Sequence, residues 1–333
     1  LLAMATWLLL RWYFGDSFWW LMIVNALGPY LFVPSFLLTG WYIVRRKSVW
    51  ALATSLPMLI YVIWFWPYVL PRTTHLQTQH PLRVLTFNIL YTNQNYDQIA
   101  SMIEAQQPDL IALQEVKLEA MRQLINRLES KYPYYILGNY NAYGSTAAFS
   151  RYPLDKGYVL DLGAERPATV MQLRINGQSV SFISAHLQAF GWSHLFFHLQ
   201  HESWQRTLTA IAQFRAEQLR QAEILAQEAN KQPSELVILG CDCNTRELMT
   251  TYSVLAAHFH QAAQTFGWQP AAFRPNDAFP DLNPQHLDYI FYSGNAAPQL
   301  VYKLKQQVGS DHYPLVTDFA FTSTRKGDTS GCC

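Results

Sequence analysis

The stretch "LRVLTFNIL" (Leu82–Leu90) sets a pattern that later parts of the chain repeat. It is a run of apolar and β-branched residues, which predicts a buried strand, and the polar Asn88 stands near its end. The segment "DQIASMIEAQQ" follows with apolar residues at helical spacing, and Pro108 stops what comes after it. A second apolar run, "DLIALQEV", then closes with Glu115. This alternation of strand and helix is typical of α/β proteins.

The middle of the chain is richer in strands than its beginning. The runs "ATVMQLRI" and "VSFISAHL" are joined by Asn176–Gly177, a pair that favours a tight hairpin turn. A long helix is predicted around Ala210–Ala229, and the strands "ELVILGCDCN", "HLDYIFYS" and "PLVTDFAF" follow it. Early alternation with central hairpins predicts an α/β sandwich, in which mixed sheets are covered by helices.

Polar residues recur where the predicted strands end or begin. Ligand sites in α/β sheets lie outside the ends of strands, so these residues are expected to share one cleft. In "GSDHYPLV" (Gly309–Val316) an acid and an imidazole are neighbours, and neighbours can reach one site only at a strand end. The candidate site residues are Asn88, Glu115, His186, Asp242, Asn244, Asp288, Asp311 and His312.

Taken together, six motifs resemble the endonuclease/exonuclease/phosphatase superfamily. They are "FNIL", "PDLIALQEV", "SAHL", "GCDCNT", "LDYIF" and "GSDHYPLV", and the resemblance covers about residues 82–321. It implies a four-layer α/β sandwich with two central sheets, and hydrolysis of a phosphate ester. Deoxyribonucleases, repair nucleases, neutral sphingomyelinases and inositol polyphosphate phosphatases belong to this superfamily, so the motifs do not identify the substrate. The hydrophobic N-terminal region also resembles bacterial membrane-anchored members.

The oxygen-rich set predicts a hard divalent cation, which is Mg²⁺, or else Mn²⁺ or Ca²⁺. Glu115 and Asp311 are the best carboxylate ligands, and Asn88 can add a carbonyl oxygen. Such an ion polarises a phosphoryl group and stabilises the leaving oxygen. Magnesium often takes only one or two carboxylates and keeps waters for substrate oxygens, so this small set is sufficient.

The remaining candidates are predicted to act on the same phosphate. His312 lies beside the ligand Asp311, and Asp288 is predicted to orient its ring as a carboxylate does in a Ser-His-Asp triad. The resemblance implies that Asp242 activates or positions the water and that Asn244 binds a phosphate oxygen. It gives His186 a second phosphate or acid–base contact, and the identity of the general base stays open.

The first 70 residues are strongly apolar. They carry only Arg11, Asp16 and the "RRK" of Arg45–Lys47 as charges. Two stretches, Ser17–Val44 and Val49–Leu70, are long enough to span a bilayer, and "LLAMATWLLL" is interpreted as the end of a truncated earlier span. The alternative is a set of buried core helices. The predicted organisation is membrane helices at 1–70, a linker at 71–81, the hydrolase domain at 82–321 and a disordered tail at 322–333.

The "RRK" loop also predicts an orientation in the membrane. Positive loops stay in the cytoplasm, so Leu70 should leave the bilayer on the other side. We therefore expect an integral membrane protein with an extracytoplasmic catalytic domain and the lipid bilayer as its partner.

Two of the four cysteines flank Asp242, where the motif departs from the family's usual "GDFN". Cys241 and Cys243 are two apart in a strand, a spacing that rarely reaches disulfide geometry, so they are predicted to be small buried residues. The spacing is also not that of a zinc site. Cys332 and Cys333 lie in the polar tail.

Charge separates the functional alternatives. The chain has 24 Lys and Arg and 23 Asp and Glu, of which the first 70 residues hold four and one, so the remainder has 20 and 22. A duplex-binding protein usually carries a basic patch, which this balance does not favour. A phosphodiesterase acting on a phospholipid headgroup or small diester is therefore preferred. A nuclease and a non-catalytic binding domain remain as alternatives.

The segment "AFGWSHLFFHLQHESW" (Ala189–Trp204) follows His186 directly and is expected at the rim of the cleft. Its apolar residues recur at helical spacing, which predicts either a helix packed on the sandwich or an interfacial element that dips into the bilayer. Three histidines accompany them, at 194, 198 and 201, and are interpreted as a solvated face or, alternatively, as zinc ligands.

Overall fold

The structure is a computed structural model that describes residues 1–69, 81–139, 144–189, 203–231, 234–266 and 286–322. Three predicted features lie outside the described residues. They are the linker up to residue 80, the apolar and histidine-rich stretch at 190–202, and the tail from residue 323 with Cys332 and Cys333.

The N-terminal region is helical. Its elements are α1 (Leu2–Phe14), α2 (Trp19–Ala26), a 3-10 helix (Gly28–Phe32), α3 (Val33–Val44) and α4 (Ser48–Val69). Among the described residues, α4 alone is long and apolar enough by itself to cross a membrane, over Ser48–Phe65. A second span is counted only if α2 and the segment Tyr30–Val44, which are bent by 75°, are taken as one broken span.

The predicted first span, Ser17–Val44, is thus not one continuous helix. The 3-10 helix interrupts it at a Gly-Pro pair, and proline stands in the first turn of that helix. Proline has no amide hydrogen to donate and glycine disfavours helix interiors, so the pair ends one helix and starts another in a new direction.

Twelve strands and five further helices are described in the rest of the chain. The strands are β1 (Leu82–Asn88), β2 (Leu110–Val116), β3 (Tyr134–Leu137), β4 (Ser145–Ser150), β5 (Leu154–Asp161), β6 (Pro167–Ile175), β7 (Gln178–His186), β8 (Leu236–Asp242), β9 (His260–Gln261), β10 (Asp288–Gly294), β11 (Ala296–Lys303) and β12 (Leu315–Phe321). The helices are α5 (Tyr96–Gln106), α6 (Leu118–Leu128), α7 (Trp204–Lys231), α8 (Thr250–His258) and α9 (Ala262–Phe266).

These strands form two six-stranded sheets in the described part of the chain. The first sheet has the order β11-β12-β1-β2-β4-β3, and the second has the order β5-β6-β7-β8-β10-β9. Each is mixed: β1 and β2 run parallel in the first sheet, and β7 and β8 run parallel in the second. The other pairings are antiparallel.

Four layers result from the way the faces of the sheets are buried. One apolar cluster lies between the sheets and takes residues from both. A second joins the outer face of the first sheet to α5 and α6, and a third joins the outer face of the second sheet to α7 and α8. The predicted sandwich of mixed sheets covered by helices is therefore confirmed.

The sheets approach each other closely at Gly240, near the end of β8. A Cβ atom at this position would lie 2.8 Å from Cβ of Ala112 and 3.2 Å from Cβ of Thr86 on the facing strands. Only glycine leaves room for this contact, which brings the ends of β1, β2 and β8 together across the sandwich.

The two cysteines beside Asp242 form a disulfide, which corrects one prediction. Cys241 and Cys243 are both fully buried, as expected for small core residues, but their Cα atoms lie 5.2 Å apart and their sulfur atoms are bonded. That separation is within the range for disulfides. The β8 strand ends at Asp242, so Cys243 is free of the regular strand geometry that argued against the bond.

Candidate active site

The predicted site residues occupy one edge of the sandwich. Because β1 and β2 are parallel, as are β7 and β8, their carboxyl ends meet at this edge. Both β10 and β12 run antiparallel to such a strand, so they begin there. This topology brings Asn88, Glu115, His186, Asp242, Asp288 and His312 together at the cleft.

The amide of Asn88 links two acidic residues that come from different sheets. Its Nδ2 donates to Oε1 of Glu115 at 2.9 Å and to Oδ2 of Asp242 at 2.9 Å. Its Oδ1 accepts the backbone N–H of Leu90, and its carbonyl oxygen accepts from Ser310 Oγ. An amide oxygen has two lone pairs, so this arrangement still leaves one for a cation. The predicted ligand role of Asn88 stays a prediction.

Glu115 is held in an unusual backbone conformation. Its φ is +60°, in the left-handed region, at an irregularity in the pairing of β2 with β4. The carboxylate also accepts the N–H of Tyr91 at 3.0 Å. Burial raises its pKa, against the hydrogen bonds from Asn88 and Tyr91. Strained residues of this kind often lie in functional sites, where the surrounding structure must hold them.

Asp288 and His312 form a hydrogen-bonded pair. His312 Nδ1 lies 2.8 Å from Oδ2 of Asp288, and both side chains are almost fully buried. Burial by itself would lower the pKa of His312, but Asp288 and Asp242 together raise it to about 10. The imidazole is therefore protonated at neutral pH, with Nδ1–H donated to Asp288.

The other nitrogen of His312 points to the remaining acids. Its Nε2 lies 3.6 Å from Oδ2 of Asp242 and 4.0 Å from Oδ1 of Asp311. Asp242 also accepts the backbone N–H of Asn244 at 3.2 Å. Burial raises the pKa of Asp242 to about 6, with His312 opposing the rise. At 3.6 Å, Oδ2 of Asp242 and Nε2 of His312 thus face one another just beyond hydrogen-bond distance.

His186 faces the same carboxylates from the second sheet. Its Nε2 lies 3.6 Å from Oδ2 of Asp242 and 3.9 Å from Oε1 of Glu115. Arg166 approaches the ring with its shorter contact at Nδ1, 2.8 Å from Nη1. Burial and then Arg166 lower the pKa of His186 well below its usual value, so the ring is neutral. Because arginine can only donate, the ring proton is assigned to Nε2.

Arg166 is a site residue that the sequence analysis missed. It precedes β6, and β6 pairs with β7 in a register that sets Thr169 opposite Ser184. Continued by two residues, this register brings Pro167 to the level of His186. That register follows from the Asn176–Gly177 turn, in which Ile175 faces Gln178. Counting back from the predicted hairpin would therefore have placed Arg166 beside His186.

Asn244 turns the chain away from the end of β8. Its φ is +45°, its Nδ2 donates to the carbonyl oxygen of Leu187 at 3.1 Å, and its own carbonyl oxygen accepts from Gln218. The side chain is thus fixed at the cleft by β7. Its predicted contact with a phosphate oxygen stays a prediction.

The family comparison agrees with this geometry. The profile of the Endonuclease/Exonuclease/phosphatase family matches residues 85–312, which is more than half of the chain. The chain belongs to this family. Comparison with curated protein sequences finds no match.

Solved structures share the fold of this member at low sequence identity. TDP2 of D. rerio, in complex with a single-strand DNA product, has a TM-score of 0.57 at 18% identity, covering 73% of this chain and 100% of that chain. A Bacteroides vulgatus member of the family has a TM-score of 0.58 at 15% identity, with 73% and 100% covered. SmcL has a TM-score of 0.53 at 19% identity, also with 73% and 100% covered. The family match confirms the predicted superfamily, and these solved structures share its fold.

The donor groups of this family member fit a hard divalent cation. The half-buried carboxylate of Glu115 and the buried carboxylate of Asp242 share one amide of Asn88, and burial raises the pKa of each. A nearby positive charge would therefore stabilise both ionised forms. Ligand atoms of Asp242, Asp288 and His312 also lie within 4.8 Å of one another, but His312 there already bonds Asp288. Glu115 and Asp311, with Asn88, remain the predicted ligands for Mg²⁺, Mn²⁺ or Ca²⁺.

Proposed function

We propose that the protein is a membrane-anchored, divalent-metal-dependent phosphodiesterase that hydrolyses a phospholipid headgroup or a small phosphodiester. Members of this family are generally phosphodiester hydrolases. The observation that carries the proposal is the buried Asp288–His312 pair, which faces Asp242 at one edge of the sandwich. These residues place a proton donor, His312, and a proton acceptor, Asp242, side by side at this edge, 3.6 Å apart.

His312 is suited to donate a proton or a hydrogen bond to the phosphate. It is protonated because Asp288 holds Nδ1–H, and its free Nε2–H points toward Asp242 and Asp311. Asp288 fixes the ring and stabilises the imidazolium, as a carboxylate does for histidine in acyl transfer.

Asp242 is suited to orient the attacking water and to accept its proton. Asn88 holds one carboxylate oxygen and the backbone of Asn244 holds the other, so the group cannot rotate freely. Its pKa of about 6 lies closer to neutral pH than the pKa of an exposed aspartate. Asp242 is therefore a better base than an exposed aspartate would be. His186, with its proton on Nε2, donates to a phosphate oxygen.

Glu115 and Asp311 would hold the metal ion together with Asn88. When bound, the ion supplies Lewis-acid polarisation of the phosphoryl group and charge stabilisation at the leaving oxygen. The role of this chain is to present these oxygen ligands at the edge of the sandwich, where Glu115 and Asp311 are both partly exposed.

The surface of the N-terminal helices supports the proposal that the substrate is a lipid. Many of their large apolar side chains are exposed, which is typical of a surface that lipid covers rather than water. Trp19 of α2 packs edge-on against Trp204 of α7, with ring centroids 5.2 Å apart. Arg246, four residues after Asp242, donates to the carbonyl oxygen of Ala26, so these helices also contact the segment that follows β8. A substrate headgroup at the membrane surface would therefore be close to the site. The "RRK" loop favours an extracytoplasmic location for this domain.

A nuclease is the second candidate. It is favoured by one observation, the single-strand DNA product in the D. rerio TDP2 structure that shares this fold. The 20 basic against 22 acidic residues after residue 70 weaken it, because nucleic-acid affinity depends on phosphate neutralisation by Lys and Arg.

A substrate panel tests the proposal. The full chain, purified in detergent, is assayed on bis(p-nitrophenyl) phosphate, on phosphatidylcholine in mixed micelles and on single-stranded DNA, each with Mg²⁺, Mn²⁺, Ca²⁺ or EDTA. We expect metal-dependent hydrolysis of the small diester and the phospholipid, and slower hydrolysis of DNA. Hydrolysis of DNA alone would establish the nuclease instead. If no diester were hydrolysed, the proposed phosphodiesterase activity would be contradicted, and a non-catalytic binding domain would be favoured.

A further inference from the structure

The chain segment that leaves β8, residues 243–249, carries Asn244 and is here named the catalytic loop. It also contacts the N-terminal helices directly. Arg246 donates from Nη1 to the carbonyl oxygen of Ala26 at 2.5 Å. Leu248 and Met249 pack into two buried apolar clusters that the N-terminal helices largely build.

A buried acid from the N-terminal helices secures the end of this loop. Asp16 lies between α1 and α2 and is 2% exposed. Its Oδ2 accepts the N–H of Thr250, the first residue of α8, at 2.5 Å. In return, Thr250 Oγ1 accepts the N–H of Asp16 at 3.0 Å.

Asp16 therefore acts as the N-cap of α8 from a distant part of the chain. The residue in the N-cap position, Met249, has no side chain that can accept a hydrogen bond, and α8 has no acid in its first turn. A carboxylate at this position satisfies an otherwise unpaired N–H and interacts favourably with the helix dipole.

The position of Asp16 is itself fixed within the N-terminal helices. Asn25 donates from Nδ2 to Oδ1 of Asp16 at 2.7 Å and to the carbonyl oxygen of Gly15 at 3.0 Å. Its Oδ1 accepts Nε1–H of Trp7 at 2.9 Å. The cap is thus held by α1 and α2 together, so it transmits their position to α8.

From α8 the hydrogen bonds continue to Asp242. Thr251 Oγ1 donates to Oε1 of Gln218 at 3.1 Å, and Gln218 Nε2 donates to the carbonyl oxygen of Asn244 at 2.9 Å. The N–H of Asn244 donates to Oδ1 of Asp242 at 3.2 Å. Thr251 and Gln218 are buried, and buried hydrogen bonds of this kind restrict the groups they join.

We propose that this buried chain of hydrogen bonds positions Asp242 from the membrane helices, with Asp16 and Gln218 as its positioning residues. The N-terminal helices are then more than an anchor, because their packing sets the geometry of the catalytic loop. The inference rests on the proposed function for its kinetic consequence but not for its structural one.

The kinetic test uses a soluble substrate, so that access to the membrane does not matter. In the full chain, Asp16→Ala and Gln218→Met should each lower kcat on bis(p-nitrophenyl) phosphate by roughly tenfold or more, with little change in KM, because small misplacements of a catalytic group have effects of this size. The double variant should lose less than the product of the two single losses, since both act through Asn244. Thr250→Val keeps the N–H that Asp16 accepts, so its kcat should fall less than that of Asp16→Ala or Gln218→Met.

Thr39→Val is the matched control. It removes the hydrogen bond from Thr39 to Thr54, which joins α3 and α4 away from the catalytic loop. It should leave kcat unchanged while disturbing the helices to a similar degree. Equal losses in Thr39→Val and Asp16→Ala, or an unchanged kcat in Asp16→Ala, would overturn the proposal.

Hydrogen exchange separates failure of this inference from failure of the proposed function. Asp16→Ala should speed amide exchange at Asn244 and Thr250 while leaving the β6–β7 hairpin unchanged. An inactive wild-type chain would contradict the proposed function, and exchange would then still decide the positioning role. Unchanged exchange at both amides would overturn the inference, whatever the activity.

Discussion

The surroundings of His312 favour the charged form of its ring, although the ring is buried. Burial disfavours the imidazolium, yet two acids close to the ring outweigh this effect and raise its pKa to about 10. His186, equally buried in the same cleft, has Arg166 beside it and stays neutral. Two histidines of one site thus take opposite protonation states, in agreement with the different roles proposed for them.

The first prediction concerns this pair. His312→Ala should lower kcat for diester hydrolysis by about 10²- to 10⁴-fold, the usual contribution of a positioned acid–base group. Asp288→Asn should lower kcat less, because the imidazole remains and only its orientation and the stabilisation of its positive charge are weakened. The measurement is steady-state kinetics with a thermal unfolding check of each variant.

His258→Ala serves as the control for this prediction, since His258 is exposed on α8 and is in contact with Asn230. It should keep wild-type activity. If His312→Ala turned over diester at the wild-type rate, the role given to His312 would be wrong.

The second prediction concerns the metal. Glu115→Gln should nearly abolish turnover, and excess Mg²⁺ or Mn²⁺ should restore only part of it, because one or two carboxylates provide most of the protein's binding to such an ion. Glu119→Gln, at an exposed position in the first turn of α6, should behave like the wild type. Activity of the wild type that fully resists EDTA would contradict metal dependence.

At the scale of elements, the conformation at the end of β2 depends on Gly144, the residue that directly precedes β4. Gly144 has a φ of +83°, and a Cβ there would come within 2.5 Å of the backbone carbon of Glu115. Glycine is thus required twice, for its backbone conformation and for the space that the strained Glu115 occupies.

The third prediction separates these two requirements. Gly144→Ala should displace Glu115 and reduce both metal affinity and kcat, in addition to lowering the free energy of unfolding. Gly177→Ala is the matched control, since Gly177 has a φ of +80° but no atom within 4 Å of its Cβ position. It should lose only about 1–2 kcal/mol of stability from backbone strain, with activity intact. Similar kinetics in the two variants would show that Gly144 serves the turn alone.

Most of the candidate site could be predicted because strand ends carry its residues. A buried strand has a strong apolar signature, so a polar residue that ends it, such as Asn88 or Asp242, is easy to recognise. The direction of each strand then decides which ends meet, and the order of helices and hairpins already indicated mixed sheets. The fold and the family could therefore be predicted from the sequence.

Other features depend on contacts between distant segments, which a local pattern does not contain. The disulfide of Cys241 and Cys243 forms because β8 ends between them, and sequence spacing alone argued against it. The capping of α8 by Asp16 joins residues more than two hundred positions apart, and a single charged residue in an apolar region gave no sign of it.

At the scale of the whole molecule, the fourth prediction concerns orientation. Protease added to intact cells with a permeabilised outer layer should digest residues 72–333 and spare the "RRK" loop at Arg45–Lys47, because positive loops stay in the cytoplasm. Opening the inner membrane should then expose that loop to cleavage. Protection of the whole catalytic domain before that step would reverse the orientation.

The packing of Leu248 and Met249 against the N-terminal helices has a practical consequence for protein production. Expression of the catalytic domain from Pro81 onward would leave these two side chains and Ile211 in contact with solvent, although all three are buried in the full chain. Such an apolar patch beside an uncapped helix favours aggregation. A truncated domain intended for crystallisation should therefore carry a polar substitution at Leu248 and either Met249→Asp or Met249→Ser, which would also provide a local cap for α8.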